Sequence, residues 1–173
     1  YDDNGHGTTM AGYILNTNPN AEIISIKALD ARGAGTSVSV YAAIELAIEK
    51  KVGIINLSLY APVNEKNTLV EKAINDAINA GITVVGAAGN NGEDVANYIP
   101  GRMDKPIIVG ACDGEGARLA SSNYGDTVDY MVIASATSEA AAIMSGFLSS
   151  GQKIEDFLNK DLIYSPDYEG KDE

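Results

Sequence analysis

A chain of 173 residues with 45% hydrophobic content is long enough for one globular domain with a sizeable buried core. Its 24 acidic residues outnumber 12 basic ones, and the formal net charge of −12 argues against binding to the phosphates of a nucleic acid. No apolar run approaches the roughly 20 residues that a membrane-spanning helix needs, so we expect no membrane span. The first residue is Tyr1 and no signal-peptide pattern follows it, from which we expect a processed or excised chain.

Strand and helix patterns alternate along the chain. Short apolar runs rich in Val and Ile indicate strands, and apolar residues that recur every three or four positions indicate helices. In chain order these patterns predict a strand at 21–29, a glycine-rich loop at 31–35, a helix at 36–51, a strand at 52–59, a helix between Thr68 and Gly81, strands at 82–89, 105–111 and 129–134, a helix at 138–150 and an amphipathic helix at 153–162.

Two of the predicted helices carry more specific signals. Thr68 and Glu71 form a capping-box pattern at the start of one helix, and Gly81 fits the position just beyond its end. The apolar stripes of this helix and of the last one predict which side chains face inward. These are Val70, Ala73, Ile74, Ala77 and Ile78 in the first, and Ile154, Phe157, Leu158 and Leu162 in the second.

Strands that alternate with helices are typical of the α/β class. We therefore predict a mainly parallel sheet between two layers of helices, a three-layer sandwich whose ligands bind beyond the carboxyl ends of the strands. Residues 1–164 are expected to form the domain, and 165–173 an acidic, solvated tail. Cys112 ends an apolar run and has no second cysteine to pair with, so we expect it to be a small core residue.

Three stretches contain residue types that can carry chemistry. His6, the only histidine, lies in "NGHGTTMAG", Asn90 lies in "VVGAAGNNG", and Ser138 lies in "ATSEAAAIMSG". Each has a structural explanation when taken singly. A histidine near a terminus is usually a surface residue, an Asn among glycines forms turns, and a Ser before alanines caps a helix.

Taken in order, and together with "IINLSL" at 54–59, these stretches resemble the landmarks of the subtilisin-like serine proteases. That family shows a Gly-His-Gly-Thr turn that opens a helix, a strand edge for substrate, an Ala-Ala-Gly-Asn turn, and a Gly-Thr-Ser helix start. The resemblance extends from Asp3 to about Gly146, nearly the whole chain, and implies the subtilisin-like fold.

The resemblance implies a serine endopeptidase that acts on an extended peptide or protein segment and needs no cofactor. It assigns Ser138 as the nucleophile, His6 as the general base that activates it, and Asn90 as a donor to the oxyanion. It also implies two walls for the substrate, formed by Ser58, Leu59 and Tyr60 on one side and by Ala87, Ala88 and Gly89 on the other.

The chain departs from the family at the third member of the catalytic triad. Relatives carry an Asp, which orients the imidazole, at the end of a strand upstream of the His turn. No stretch here matches that strand, and Asp2 and Asp3 lie so close to His6 that we expect them to be surface groups. The absence leaves a slot between the strands at 21–29 and 52–59. Either these two close up, or another polypeptide fills the slot, such as an upstream fragment of the same precursor.

Smaller departures lie around the site. Glu139 follows the nucleophile where Met is usual, and we expect it near His6. Tyr60 stands where the family has glycine, so we expect it to crowd or shape the substrate pocket. The segment 16–22 is too short for the family's best-known calcium loop, so no metal is predicted there. Most relatives are exported, but nothing in this chain decides its compartment.

Two alternatives to an active protease remain. In the first, the same fold is a pseudoprotease or peptide-binding module that holds a segment without cutting it. In the second, the chain is a different doubly wound enzyme whose "GAAGNNG" stretch binds a small ligand. That stretch lacks the G-x-G-x-x-G spacing after a first strand, so the second alternative rests on a single glycine run.

Overall fold

The computed structural model describes residues 1–168 and contains one main parallel sheet with helices on both faces. Numbered in chain order, the helices are α1 His6–Thr17, α2 Ser37–Glu49, α3 Thr68–Asn79 and α4 Thr137–Ser149. The strands are β1 Ile54–Leu57, β2 Ala61–Pro62, β3 Thr83–Ala87, β4 Tyr98–Ile99, β5 Ile107–Cys112, β6 Tyr130–Ile133 and β7 Ile163–Tyr164.

The strands of the main sheet follow the spatial order β1-β3-β5-β6-β7. The first four are parallel to their neighbours, and β7 pairs antiparallel with β6. The short strands β2 and β4 form a separate antiparallel pair. Helix α3 connects β1 to β3, whereas the connections from β3 to β5 and from β5 to β6 contain no α-helix. Strands β1 and β3 are parallel neighbours from Ile54 and Thr83 onwards. The carboxyl ends of β1 and β3 therefore lie side by side.

The helices pack against the two faces of the sheet, and each face has its own core of buried apolar side chains. On one face, Ile44 of α2 and Ile74 of α3 pack with Ile55 of β1. On the other face, Met144 of α4 packs with Val109 of β5. Helix α1 packs closely against α4. The predicted three-layer α/β sandwich is confirmed.

The ends of α2 and α3 follow from local hydrogen bonding, with one correction. Thr36 caps α2 in a capping box with Ser39, and Gly81 ends α3 with a φ of +86°. The predicted capping box between Thr68 and Glu71 is wrong, because Thr68 is already helical and its hydroxyl donates to the Glu65 carbonyl at 2.6 Å.

Glu71 instead binds a residue far away in the chain. Nε and Nη2 of Arg102 donate to its two carboxylate oxygens at 2.6 and 2.7 Å. A bidentate guanidinium offers two charge-assisted hydrogen bonds, whereas the capping position offers one backbone N–H. The remaining prediction for α3 is confirmed, since the stripe that begins at Val70 faces the core, with Ile78 only half-buried.

The predicted strand at 21–29 is wrong. Within residues 1–168 this segment forms no strand and joins no sheet, and the main sheet ends at β1. A strand needs a neighbour for its backbone N–H and C=O groups, and no strand in the described part of the chain pairs with this segment. Ile26 and Leu29 still pack against the α2–α3 core, while Ile24 is half exposed.

The predicted helix at 153–162 is also wrong. Only a single 3₁₀ turn forms, at Ile154–Asp156, because the chain must then reverse to place β7 against β6. Asn159 makes this reversal with a φ of +59°, and its side chain accepts a hydrogen bond from the Ser165 N–H at 2.7 Å. The inward direction of the apolar side chains is confirmed. Phe157, for example, stacks edge-on against Phe147 of α4.

Two further sequence predictions concern single residues. Cys112 is fully buried in β5, as predicted, and burial raises the pKa of its thiol to about 11. The end of the domain is packed as far as Tyr168, whose ring lies on that of Tyr164, and residues 169–173 of the predicted tail lie outside the described residues. No helix within residues 1–168 is long and apolar enough to cross a membrane.

Candidate active site

The amino terminus of α4 is tied to the end of β1 by two reciprocal hydrogen bonds. The Ser58 hydroxyl donates to the backbone carbonyl of Ser138 at 2.6 Å, and the Ser138 hydroxyl donates to the backbone carbonyl of Ser58 at 3.1 Å. Ser138 is the second residue of α4, so it lies where free helix N–H groups and the helix dipole favour negative charge. The structure therefore brings together two of the residues predicted for the site.

Two polar residues behind Ser58 extend this connection into the protein. Asn56 in β1 donates from Nδ2 to the Ser58 hydroxyl at 2.9 Å. The hydroxyl of Ser145, a buried residue of α4, donates to Oδ1 of Asn56 at 2.9 Å. Sequence reasoning missed this role, although an Asn inside the apolar run "IINLSL" was a signal for it, because a half-buried amide needs partners.

Asn90 is held against the start of α4 by Thr137. Oδ1 of Asn90 accepts hydrogen bonds from both the backbone N–H and the hydroxyl of Thr137, each at 2.9 Å. The Thr137 hydroxyl in turn accepts from the Gly89 N–H at 3.1 Å, and the side chain is fully buried. Within residues 1–168, Nδ2 of Asn90 donates to no protein acceptor, which leaves it free to donate to a ligand. The sequence analysis did not identify Thr137 as a site residue.

A buried asparagine fixes the turn that carries Asn90. Asn123 donates from Nδ2 to the Ala88 carbonyl at 3.0 Å, and its Oδ1 accepts from the N–H groups of Asn91 and Glu93, both at 3.0 Å. Its side chain is fully buried, and all these partners are backbone groups. Asn123 was also missed, because its position in the loop before β6 gives no local signal of a contact with this turn.

His6 is the first residue of α1 and is exposed to solvent. Asp2 organises the turn before it by accepting from the Gly5 N–H at 2.9 Å and from the N–H and hydroxyl of Thr8 at 2.8 and 2.6 Å. These hydrogen bonds stabilise the carboxylate and lower the pKa of Asp2 well below its ordinary value. Asp3 forms an ion pair with Lys27. Both carboxylates are surface groups, as predicted, but Asp2 is also the N-terminal anchor of α1.

The imidazole of His6 has no hydrogen-bonded carboxylate among residues 1–168, and the hydroxyl of Ser138 is bonded to Ser58 rather than to His6. Glu139, expected near His6, has other partners. It accepts hydrogen bonds from the N–H and hydroxyl of Ser135, and its charge raises the pKa of Tyr13 in α1. Glu139 therefore links α1 to the loop that leads into α4.

The residues predicted for the two substrate walls differ in exposure. Tyr60 and Gly89 face each other, since a side-chain carbon on Gly89 would stand 3.1 Å from Cδ2 of Tyr60. Ala87 and Ala88 are fully buried, and Leu59 packs against the α2–α3 core. Within residues 1–168, no three His, Cys, Asp or Glu side chains are grouped as a metal would require.

Comparison with known proteins identifies the same family over most of the chain. The sequence model described as the subtilase family matches residues 1–157. The thermostable alkaline protease of Halalkalibacterium halodurans is 40% identical over 138 residues, which cover 75% of this chain and 37% of that protein. Subtilisin Savinase of Lederbergia lenta is 36% identical over 137 residues, which cover 74% of this chain and 50% of that protein.

A solved structure agrees with the sequence matches. The crystal structure of a cold-adapted subtilisin-like serine proteinase superposes with a TM-score of 0.82 at 27% sequence identity, covering 87% of this chain and 62% of that chain. This chain thus spans about a third to a half of the length of the curated relatives described above.

Proposed function

We propose, from the premise that this chain belongs to the subtilase family, that it is the part of a serine endopeptidase that carries the nucleophile, the general base and the oxyanion site. The reaction is acyl transfer from a peptide bond to Ser138, followed by hydrolysis. His6 is the general base, and Asn90 stabilises the oxyanion. The substrate is an extended peptide or protein segment that lies along Ser58 and Tyr60.

The observation that carries this proposal is the convergence of three groups at the start of α4. Ser138 lies in its first turn, Ser58 of the strand edge bonds to it, and Asn90 is fixed beside it by Thr137. An ordinary helix cap needs none of this long-range support. Close packing of α1 against α4 supports the proposed pairing of His6 with Ser138.

In the proposed reaction, Nε2 of His6 accepts the proton of the Ser138 hydroxyl while the oxygen attacks the carbonyl carbon. The hydroxyl must first leave its hydrogen bond to the Ser58 carbonyl. The negative charge that forms on the carbonyl oxygen is stabilised by the Ser138 N–H at the helix terminus and by Nδ2 of Asn90. The imidazolium then protonates the leaving amine, and water hydrolyses the acyl-enzyme by the reverse roles.

The carboxylate that should orient His6 comes, in this proposal, from another polypeptide strand such as an upstream fragment of the same precursor. Within residues 1–168, β1 has a partner only on its β3 side, and the segment 21–29 pairs with no strand. Ile23 and Ile24 of that segment are exposed apolar residues. A strand added between β1 and this segment would satisfy backbone groups on both sides and cover these side chains.

Labelling with an alkyl fluorophosphonate, which reacts with activated serines, tests the proposal. We expect labelling of Ser138 that is lost in Ser138→Ala and in His6→Ala. A synthetic apolar strand peptide ending in Asp-Thr-Gly should accelerate labelling, whereas the same peptide ending in Asn-Thr-Gly should not. The expected size is large, because loss of the orienting Asp from subtilisin lowers kcat by roughly 3 × 10⁴.

A pseudoprotease that binds peptides without cutting them is the alternative, and one observation favours it. The Ser138 hydroxyl donates to Ser58 while the His6 side chain has no carboxylate partner among residues 1–168. If Ser138 stays unlabelled even with the Asp peptide present, the endopeptidase proposal is wrong and this alternative takes its place.

A further inference from the structure

We propose that the ring of Tyr60 fills the pocket for the side chain that precedes the scissile bond, so that the site accepts only small residues such as Gly, Ala or Ser there. This inference rests on the proposed function and names its substrate class. It concerns the space between the two segments that wall the site, Ser58–Tyr60 and Ala87–Gly89.

The position of Tyr60 in that space follows from its contact with Gly89. A side-chain carbon on Gly89 would stand 3.1 Å from Cδ2 of Tyr60, so the ring lies directly on the opposite wall. Tyr60 comes just before β2, whose residues Ala61 and Pro62 pair with Ile99 and Tyr98 of β4. This pairing fixes the backbone from which the ring projects.

A second tyrosine packs against the ring. The rings of Tyr60 and Tyr98 are 5.6 Å apart between centroids and meet at 77°, the edge-to-face arrangement that aromatic pairs prefer. Tyr98 is only 8% exposed, and its hydroxyl donates to Oε2 of Glu93 at 2.6 Å. This hydrogen bond to a carboxylate raises the pKa of Tyr98 to about 12, so the phenol stays protonated and held.

The opposite wall cannot move away to make room. Gly89 has a φ of +107°, and the side-chain position that lies beside Tyr60 would also stand 2.3 Å from Nδ2 of Asn123, so both side chains contact the turn at this glycine. The Gly89 carbonyl accepts from the Asn123 N–H at 2.9 Å, and its N–H donates to Thr137 at 3.1 Å. A large side chain could enter only by displacing Tyr60 from both Gly89 and Tyr98.

Two peptidyl phosphonate diphenyl esters that differ only in the last residue, Ala or Phe, test the inference on the chain with the Asp-bearing strand peptide. In each reaction Oγ of Ser138 forms a bond to phosphorus, phenolate leaves, and His6 takes the serine proton. We expect the Ala probe to label at least about 10-fold faster, in the range that a shape mismatch produces in an apolar pocket. Tyr60→Gly should bring the Phe probe to or above the rate of the Ala probe.

Two further variants separate pocket shape from misfolding. Tyr60→Ala removes the same ring while keeping a side chain before β2, and it should relax the preference in the same direction. Tyr124→Ala removes an exposed tyrosine elsewhere on the surface and should leave the ratio of the two rates unchanged. A preference for Ala that survives both Tyr60 variants overturns the inference.

Failure of the pocket inference can be distinguished from failure of the proposed protease function. If the alkyl fluorophosphonate labels Ser138 but the Ala and Phe probes react equally, the protease proposal stands and the pocket inference is wrong. If no probe labels, the protease proposal fails, and fluorescence polarisation with unreactive peptides ending in Ala or Phe decides the pocket. Tighter binding of the Ala peptide supports the inference, and equal binding overturns it.

Discussion

The backbone carbonyl oxygen of Ile14 in α1 lies 2.8 Å from the point where a side-chain carbon on Gly146 in α4 would stand. The two helices touch at this glycine, and Cβ of Thr17 is nearly as close, at 2.9 Å. His6 and Ser138 lie in the first turns of these two helices, so a change in how the helices pack is expected to move the proposed base relative to the proposed nucleophile.

Gly146→Ala is therefore expected to separate the two helices. The methyl group would collide with backbone and with a Cβ, neither of which can rotate away, and overpacking of this kind costs about 1–3 kcal/mol. This loss of stability is measured as the difference in the free energy of unfolding in urea between the parent and the Gly146→Ala variant. Gly12→Ala in α1 is the matched control, since a side-chain carbon there meets open space. It should stabilise the protein by about 0.5–1 kcal/mol, and equal losses in both variants would contradict the role of the contact.

Ser58→Ala should weaken both the fold and the reactivity of Ser138. It removes the hydroxyl that now donates to the half-buried Ser138 carbonyl at 2.6 Å, and the loss of this hydrogen bond costs about 0.5–1.5 kcal/mol. The free energy of unfolding measured in urea and the rate of fluorophosphonate labelling should both decrease. The control is Ser121→Ala, at an exposed position, which should change the free energy of unfolding by less than about 0.5 kcal/mol. A Ser58 variant as stable and reactive as the parent would show that the reciprocal bonds do not position the nucleophile.

Thr137→Val should loosen Asn90 while keeping the shape of a fully buried side chain, because only the Thr137 N–H would still donate to Oδ1 of Asn90. The hydroxyl now bonds to Oδ1 of Asn90 and to the Gly89 N–H, so its loss leaves a buried donor unpaired and costs about 1–3 kcal/mol. Thr137→Ser keeps the hydroxyl and should restore most of the labelling rate at Ser138. The prediction fails if the valine variant labels as fast as the serine variant.

Cys112 should make the protein less stable at alkaline pH. Burial raises the pKa of its thiol from 9.0 to about 11, so between these values the unfolded chain has released a proton that the folded chain still holds. The contribution of the protonated thiol to the free energy of unfolding is complete below pH 9. It is lost as the pH rises through 11, with a slope of at most about 1.4 kcal/mol per pH unit. The difference in urea unfolding between the parent and Cys112→Ala, measured from pH 8 to 11, should decrease with that slope. A constant difference would contradict the prediction.

Sequence reasoning succeeded for this protein wherever the signal was local. The helix at 36–51 and the strands at 52–59 and 82–89 were found because apolar spacing and capping residues lie within each element. It failed at 21–29 and 153–162. Both segments have the right periodicity, but the first lacks a neighbouring strand within residues 1–168, and the second must reverse direction to place β7.

The sequence by itself determined the family, the α/β architecture and the residue types of the proposed chemistry, because His6, Asn90 and Ser138 each lie in a short motif that can be recognised without its surroundings. Only the tertiary structure decided how the site is held together. The hydrogen bonds of Asn90 to Thr137 and of Ser58 to Ser138 join residues 47 and 80 positions apart in the sequence. The hydrogen bonds of Asn123 and the Tyr60–Tyr98 ring contact also join distant residues, across shorter separations. Contacts of that kind depend on which ends of the strands meet, and no local pattern in the chain encodes them.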